Sequence, residues 1–303
     1  MKRIRAWRRR AAALALLPAA AVAATTSIAI GAVGSASTAR LSATKSVLGF
    51  GERFSLGGRV PGDGGTTVRI KFRPAGAEGW KLLRKVHTDR RGNYSTRARA
   101  YRNGALRAVP VRGNPSAPQP IRVRSRAALH VAKHNIVLGR GVRLEGRVKP
   151  GGERAVKVVV RGRNGDVVRD ASAADGAFAL RWKPRTTGSY RLRAYVGRNR
   201  RAKGSASVVR RITVYRYAAA SWYGPGFYGN TTACGQTLTP GMLGVANKSL
   251  PCGTKVKLRY RGRSVTAGVI DRGPYAAGRE YDLTAATKQR LGFPDTGTLL
   301  TSR

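Results

Sequence analysis

The chain has 303 residues, with 59 Lys and Arg against 13 Asp and Glu, a net charge of +46, and 42% hydrophobic residues. That hydrophobic share is enough to build packed cores, which excludes a wholly disordered polycation, and the length fits two or three domains of about 100–200 residues. The charge directs the protein to anionic polymers or surfaces, and charge alone does not choose between nucleic acid, lipid and other polyanions.

Location narrows the choice. Residues 1–10, MKRIRAWRRR, carry six cationic side chains, and the apolar run AAALALLPAAAVAA follows from Ala11 to Ala24. No acidic residue precedes Glu52. A cationic head before a short apolar run is the layout of a secretory signal. Pro18 and the polar Thr25-Thr26-Ser27 speak against a spanning helix, which needs about 20 mostly apolar residues. Residues 1–39 are therefore read as an export signal, with cleavage expected after Ala36 or Ala39 and the mature protein secreted. The paired arginines leave the general and the twin-arginine export routes both open. No Cys stands near the end of the apolar run, so no lipid anchor is expected there. Export argues against nucleic acid as a partner, and no nucleic-acid-binding motif is recognised.

A diverged repeat of about 90 residues follows. Val47-Leu48-Gly49 opens the first unit and Val137-Leu138-Gly139 the second. A turn recurs at Asp89–Tyr94 and Asp175–Phe178, and the units close in Gly104–Val109 and Gly188–Val196. Apolar residues alternate with polar ones: Val68, Ile70 and Phe72 share one face, as do Val142, Leu144, Gly146 and Val148. Short alternating runs between Gly, Pro, Asn and Asp turns predict antiparallel strands, and this many strands per repeat predicts immunoglobulin-like β-sandwiches in the broad sense. Residues 40–125 and 126–215 are the two units, with the Pro-rich segment Pro115–Pro120 expected at their junction. The outward positions are often cationic and seldom acidic, which suits adhesion to an anionic polymer. All three histidines, His87, His130 and His134, lie in this part. The i, i+4 spacing of the last two falls on linker and strand, where it does not make a metal pair, and no metal or cofactor is expected.

From Tyr217 the composition changes, with aromatics and glycines clustering in AAASWYGPGFYGNTTACGQTLTP. Further on, Val256, Leu258 and Tyr260 alternate, Arg261-Gly262-Arg263 reads as a tight turn, and Val265, Ala267 and Val269 alternate up to Asp271. Thr284 is placed to cap a short helix over Ala285–Leu291 that Gly292 stops. Residues 217–303 thus form a small β-rich domain with one helix. It holds no histidine, which excludes a Ser-His or Cys-His nucleophile pair within it. Four side-chain carboxylates remain: Asp271, Glu280, Asp282 and Asp295. Carboxyl groups suit glycosidic-bond chemistry, where one must protonate a leaving oxygen. Asp271, at a strand end beside an aromatic-rich loop, is the best placed; Glu280 and Asp295 fit solvated or capping roles better. Trp222, Tyr223, Phe227 and Tyr228 can stack on sugar rings or serve as local core. Cys234 and Cys252 are the only cysteines. In an oxidising compartment such a pair suggests a disulfide, worth roughly 3 kcal/mol in the chain-entropy model.

The run Ala220-Ser221-Trp222-Tyr223-Gly224, the turn Thr232–Gly235, Lys248-Ser249-Leu250-Pro251 with Gly253-Thr254, Ile270-Asp271-Arg272-Gly273-Pro274-Tyr275 and Tyr281-Asp282-Leu283 resemble, in order and spacing, RlpA-like (rare lipoprotein A) domains. The resemblance covers about residues 218–302. It implies a six-stranded double-psi β-barrel related to expansins and to barrel-type glycoside hydrolases, so that the whole chain is all-β: two sandwiches, then the barrel. It implies action on peptidoglycan glycan strands in the cell wall, with Asp271 matching the family's catalytic aspartate and Asp282 a second aspartate near the cleft. Trp222, Tyr223, Tyr228, Gln236, Asn247, Arg272 and Tyr275 are then the substrate-binding candidates. The chain departs from the family pattern at two of these positions. Gln236 stands where family enzymes commonly have Glu, and Asn247 where they often have His. Two readings follow. Asp271 in an intact Asp-Arg-Gly-Pro motif favours a lytic transglycosylase-like enzyme; Gln236 favours a non-catalytic, expansin-like module that binds or loosens the wall, with the basic sandwiches holding peptidoglycan or teichoic acid.

Overall fold

The structure is a computed structural model and describes residues 37–303. The expected export signal therefore lies, up to Ala36, outside the described residues. Among the described residues, no helix is long and apolar enough to cross a membrane.

The first repeat runs through β1 (Arg40–Ala43), β2 (Val47–Gly49), β3 (Arg53–Arg59), β4 (Thr67–Pro74), β5 (Lys81–His87), β6 (Asn93–Arg99), β7 (Gly104–Pro110) and β8 (Gln119–Arg124). They form a three-stranded sheet, β1-β3-β6, and a five-stranded sheet, β2-β8-β7-β4-β5. The alternation read along β4 works as expected. Val68 and Ile70 are fully buried and pack with Leu56, Leu106 and Val123 in one core, while Arg69 stays exposed. Pro115–Pro120 does not join the repeats. It lies inside the first one and leads into β8, where Pro120 pairs with Ala105 of β7. The chain passes to the second repeat at Ser125 instead, a single residue between two strands.

The second repeat runs through β9 (Arg126–Val131), β10 (Asn135–Val137), β11 (Val142–Lys149), β12 (Arg154–Gly162), β13 (Gly165–Ala173), β14 (Ala177–Trp182), β15 (Gly188–Val196), β16 (Ser205–Ala206) and β17 (Arg210–Tyr223). Its sheets, β14-β11-β9 and β13-β12-β15-β17 with β10 on β17, repeat the strand order of the first sandwich. Leu144, Val158, Leu192 and Val214 centre its core.

β17 has 14 residues and serves two bodies. Its first half pairs with β15 and β10, and its second half with β21 (Tyr281–Thr284) and β22 (Gly297–Thr301). With β18 (Gly244–Ala246), β19 (Lys255–Tyr260) and β20 (Arg263–Asp271), these strands follow the order β17-β21-β18-β20-β19-β22. The pairing of β17 with β22 closes a six-stranded barrel and leaves it no free edge. Val245, Val256, Leu258, Val269, Tyr281 and Leu283 fill its interior. At the β19–β20 hairpin, Arg261 and Gly262 both have positive φ, 40° and 87°, as a two-residue primed turn requires. α1 (Ala285–Leu291) begins where Thr284 accepts from the Thr287 amide, and it ends on left-handed Gly292.

Candidate active site

Barrel register sets the site. Asp282 on β21 pairs with Ala246 on β18, Ala246 also pairs with Asp271 on β20, and Ser221 on β17 pairs with Asp282. Four adjacent strands therefore carry Ser221, Asp282, Ala246 and Asp271 in one row. The two aspartates stand two strand spacings apart, about 10 Å between Cα atoms. Tyr223, two residues beyond Ser221, lies on the same face of β17.

Asp271 would not join this row in a regular strand. Val269 pairs with Val245 and faces the barrel core, and simple alternation would point Asp271 the same way. A register shift between Val245 and Ala246 inserts Ile270 as an extra residue. Such a bulge re-aims the next side chain, here onto the face that carries Ala246 and Asp282. Gly244 makes room for it: a Cβ there would lie 2.3 Å from Ile270 Cδ1.

Asp271 is held from one side. Its Oδ1 accepts from the Ala233 amide at 2.9 Å and from the Arg272 amide at 2.8 Å. The Cys234–Cys252 disulfide ties the Ala233 turn to the loop between β18 and β19, and the Arg272 side chain donates to that loop at Leu250 O. The turn that presents Ala233 is closed by Thr232 N–H donating to Gln236 O and by Gln236 N–H donating to Thr232 Oγ1. Opposite, Ser221 Oγ, Tyr223 Oη and Asp282 Oδ1 are buried without a partner in good hydrogen-bonding geometry. The two hydroxyls face the carboxylates, Ser221 toward Asp282 and Tyr223 toward Asp271, and buried polar atoms in such loose geometry suit a polar ligand. Burial is the first cause that pushes the Asp282 carboxyl above its usual range. The Asp271 charge adds to it, and the Ser221 hydroxyl and the Arg279 guanidinium oppose it. Burial, then Asp271 and then Asp282 push the Tyr223 phenol well up, so it stays a neutral donor.

Of the candidates read from sequence, Asp271, Asp282 and Tyr223 come together. Tyr275, four residues past Asp271, is 84% exposed and offers a free ring beside the strand exit. Tyr228 covers Gly224, where a Cβ would lie 2.8 Å from its hydroxyl, and Phe227 stands edge-on to Tyr223 at 6.2 Å. Gln236 has its side chain exposed on the rim. Three candidates are occupied elsewhere. Trp222 packs against the barrel core, donates from Nε1 to Asp295 at 2.7 Å and lies under Lys288 of α1. Arg272 Nη1 donates to the carbonyls of Asn247 and Leu250, and Nη2 donates to Cys252 Sγ. Asn247 is 3% exposed; its Oδ1 accepts from the Ser249 and Leu250 amides and its Nδ2 donates to Glu280 O. Arg272 and Asn247 thus shape the loop next to Asp271. Glu280 is bound by Arg216 of β17. Ser221 was not among the sequence candidates; its position two residues before Tyr223 was the available signal. Among the described residues, no group of three or more His, Cys, Asp or Glu is placed to hold a metal ion.

Residues 216–300 match the lytic transglycolase family model. The C-terminal barrel is an RlpA-like domain. Over 95 residues the chain is 39% identical to the probable endolytic peptidoglycan transglycosylase RlpA of Synechocystis sp., covering 31% of this chain and 29% of that protein. The protein of that name from Aquifex aeolicus is 31% identical over 137 residues, which is 45% of this chain and 61% of the relative. The endolytic peptidoglycan transglycosylase RlpA of Pseudomonas aeruginosa is 41% identical over 81 residues, 26% of this chain and 24% of the relative. The chain spans less than two thirds of each.

Proposed function

We propose that the protein acts outside the cytoplasm on the glycan strands of peptidoglycan, and that its RlpA-like domain cleaves them by a lytic transglycosylase-type reaction with Asp271 as acid and base. The observation that carries this reading is the register row: the Ile270 bulge turns Asp271 onto the face of Asp282, together with the buried hydroxyls of Ser221 and Tyr223. With Oδ1 fixed by two amides, Oδ2 of Asp271 is the reacting atom. Protonated, it gives its proton to the glycosidic oxygen, and the bond to the sugar C1 breaks. The 6-hydroxyl of the same sugar then bonds to C1, and its proton returns to Asp271. No water is consumed, and one carboxyl serves both steps. In this reading Asp282, which burial biases toward its neutral form, and the Tyr223 hydroxyl hydrogen-bond the sugar, and the Tyr275 ring stacks on it. The three relatives named above support this substrate class.

Gln236, exposed and unable to transfer a proton, favours a second reading: a barrel that grips glycan without cutting it, as in expansin-type wall loosening. Digestion of peptide-stripped peptidoglycan separates the two. Products with 1,6-anhydro ends from the wild type, absent for Asp271→Asn, are the expected result. No products from either protein, with both pelleting alongside the wall, would replace the enzyme reading with the binding one.

A further inference from the structure

A second site lies where the second sandwich meets the barrel. A cleft of about 820 Å³ opens there, lined by β12, β15 and β17 on one side and by β19 and the Leu250 loop on the other. Its sandwich wall has an unusual register. Arg161 on β12 pairs with Arg191 on β15, and Arg191 pairs with Arg211 on β17. Three guanidinium-bearing residues thus stand directly side by side on adjacent strands, about 5 Å apart. Like charges directly opposite each other weaken a sheet, and only Arg161 has an acidic partner, Asp166 at the row's outer end. Arg191 and Arg211 have none among the described residues. Lys255 and Lys257 add two more unpaired cations from the barrel wall, and no Asp or Glu side chain lines the cleft.

The cleft is pre-formed. β17 runs unbroken from the arginine row into the barrel, so its two walls share a strand. It also borders the region of the carboxylates: Leu250 and Arg303 line both this cleft and the neighbouring groove of Lys248 and Arg279, and Arg279 faces Asp282. A repelling row of arginines is relieved by a ligand carrying several negative charges in series, and guanidinium forks match phosphate oxygens. The one aromatic residue of the cleft is unavailable for base stacking. Tyr190 packs edge-on to Trp182 at 4.9 Å, and its hydroxyl donates to Thr186 O. Single-stranded nucleic acid relies on free aromatic faces.

We propose that this cleft binds a base-free polyphosphodiester, a polyol-phosphate chain of the teichoic-acid type, along the row Arg161–Arg191–Arg211 and against Lys255 and Lys257. The site is separate from the Asp271 row, and its test does not depend on glycan cleavage. The probe is a defined poly(glycerol phosphate) oligomer, titrated into the full chain at several salt concentrations. The variant Arg211→Gln/Lys255→Gln/Lys257→Gln removes three cleft charges. The control Arg84→Gln/Lys85→Gln/Arg97→Gln removes three exposed charges from the first sandwich. Both are checked for an unchanged unfolding midpoint, with Lys255→Glu alone as the substitute if the cleft triple is destabilised. The expected result is at least a 10-fold loss of affinity and a shallower salt dependence for the cleft triple, or at least a 3-fold loss for Lys255→Glu, against less than 2-fold for the control. Equal losses in cleft and control variants, or no binding by the wild type, would overturn the proposal. So would oligothymidylate or polyglutamate of matched charge binding as tightly with the same dependence on the cleft residues, since the site would then read charge or bases and not a polyol phosphate.

Discussion

Under the proposed reaction Asp271 has two separable duties, and two substitutions part them. Its Oδ1 accepts the amides of Ala233 and Arg272 at 2.9 and 2.8 Å. Asp271→Ala leaves both donors without their acceptor. A hydrogen bond to a charged group contributes about 1.5–3 kcal/mol, and for this half-buried site the lower end applies, so the alanine variant should lose about 3 kcal/mol. Asp271→Asn keeps an acceptor oxygen of the same shape and loses only the charge assistance, about half of each bond's strength; a cost of roughly 1.5 kcal/mol is expected. Chemistry ranks the variants differently. Neither can deliver a proton to the glycosidic oxygen, so both should lose at least about 100-fold in rate. Urea unfolding of the full chain gives the first ordering, and mass spectrometry of anhydro-ended products gives the second. An asparagine variant with more than a tenth of the wild-type rate would refute the acid/base role. One as unstable as the alanine variant would refute the structural account of the two amide bonds.

Three further outcomes follow from the same geometry. Cys252→Ser should lose about 3 kcal/mol, the loop-closure value for an 18-residue separation, and should slow glycan cleavage because the Ala233 turn is no longer tied to the loop whose Leu250 carbonyl anchors the Arg272 side chain; a fully active but unstable variant would separate the disulfide from the site. Asp282 has its carboxyl pushed up, chiefly by burial, so the fold favours its neutral form: its stabilising contribution is complete below the ordinary carboxylate range and is lost as pH rises through the raised value. Asp282→Asn should therefore be more stable than wild type at pH 7, with the gain vanishing near pH 3; unfolding curves with the larger gain in acid would contradict this. Gly244→Ala forces a Cβ within 2.3 Å of Ile270 Cδ1 and should cost about 1–3 kcal/mol as overpacking, with a loss of activity larger than that of an equally destabilising change in the first sandwich.

Local patterns were legible where local physics decides. The alternation in β19 and β20, the tight turn read at Arg261-Gly262-Arg263 and the caps Thr284 and Gly292 each follow from a few neighbouring residues, and the structure has them there, with Arg263 already the first residue of β20. Pairing between distant strands is different. Nothing in Val265-Thr266-Ala267-Gly268-Val269-Ile270-Asp271 announces the bulge, because the register shift belongs to β18 as much as to β20. The composition change at Tyr217 suggested a break, yet β17 passes through it unbroken, since a strand can exchange partners without interrupting its backbone. Proline at 115–120 read as a junction for the same reason: its local stiffness was visible, and the pairing of Pro120 with Ala105 was not. Trp222 could not be assigned a direction without α1, whose Lys288 covers its ring at 3.8 Å.

The two amides that depart from the family pattern weigh differently once the site is built. Asn247 is a buried hub that takes two loop amides on Oδ1 and gives one proton to Glu280 O. All of these are neutral hydrogen bonds that fix the Leu250 loop and, through it, Arg272 and the backbone holding Asp271. An amide fills that role without ever titrating, so its presence does not subtract from proton chemistry. Gln236 closes the Ala233 turn through its backbone, and its exposed side chain lies on the rim. A reaction that returns the proton to the carboxyl that gave it needs no second acid at that rim. In the proposed reaction proton transfer rests on Asp271, with Asp282 on the same barrel face in a setting that favours its neutral form, and a neutral rim residue would then bear on how a glycan is held more than on whether its bond can break.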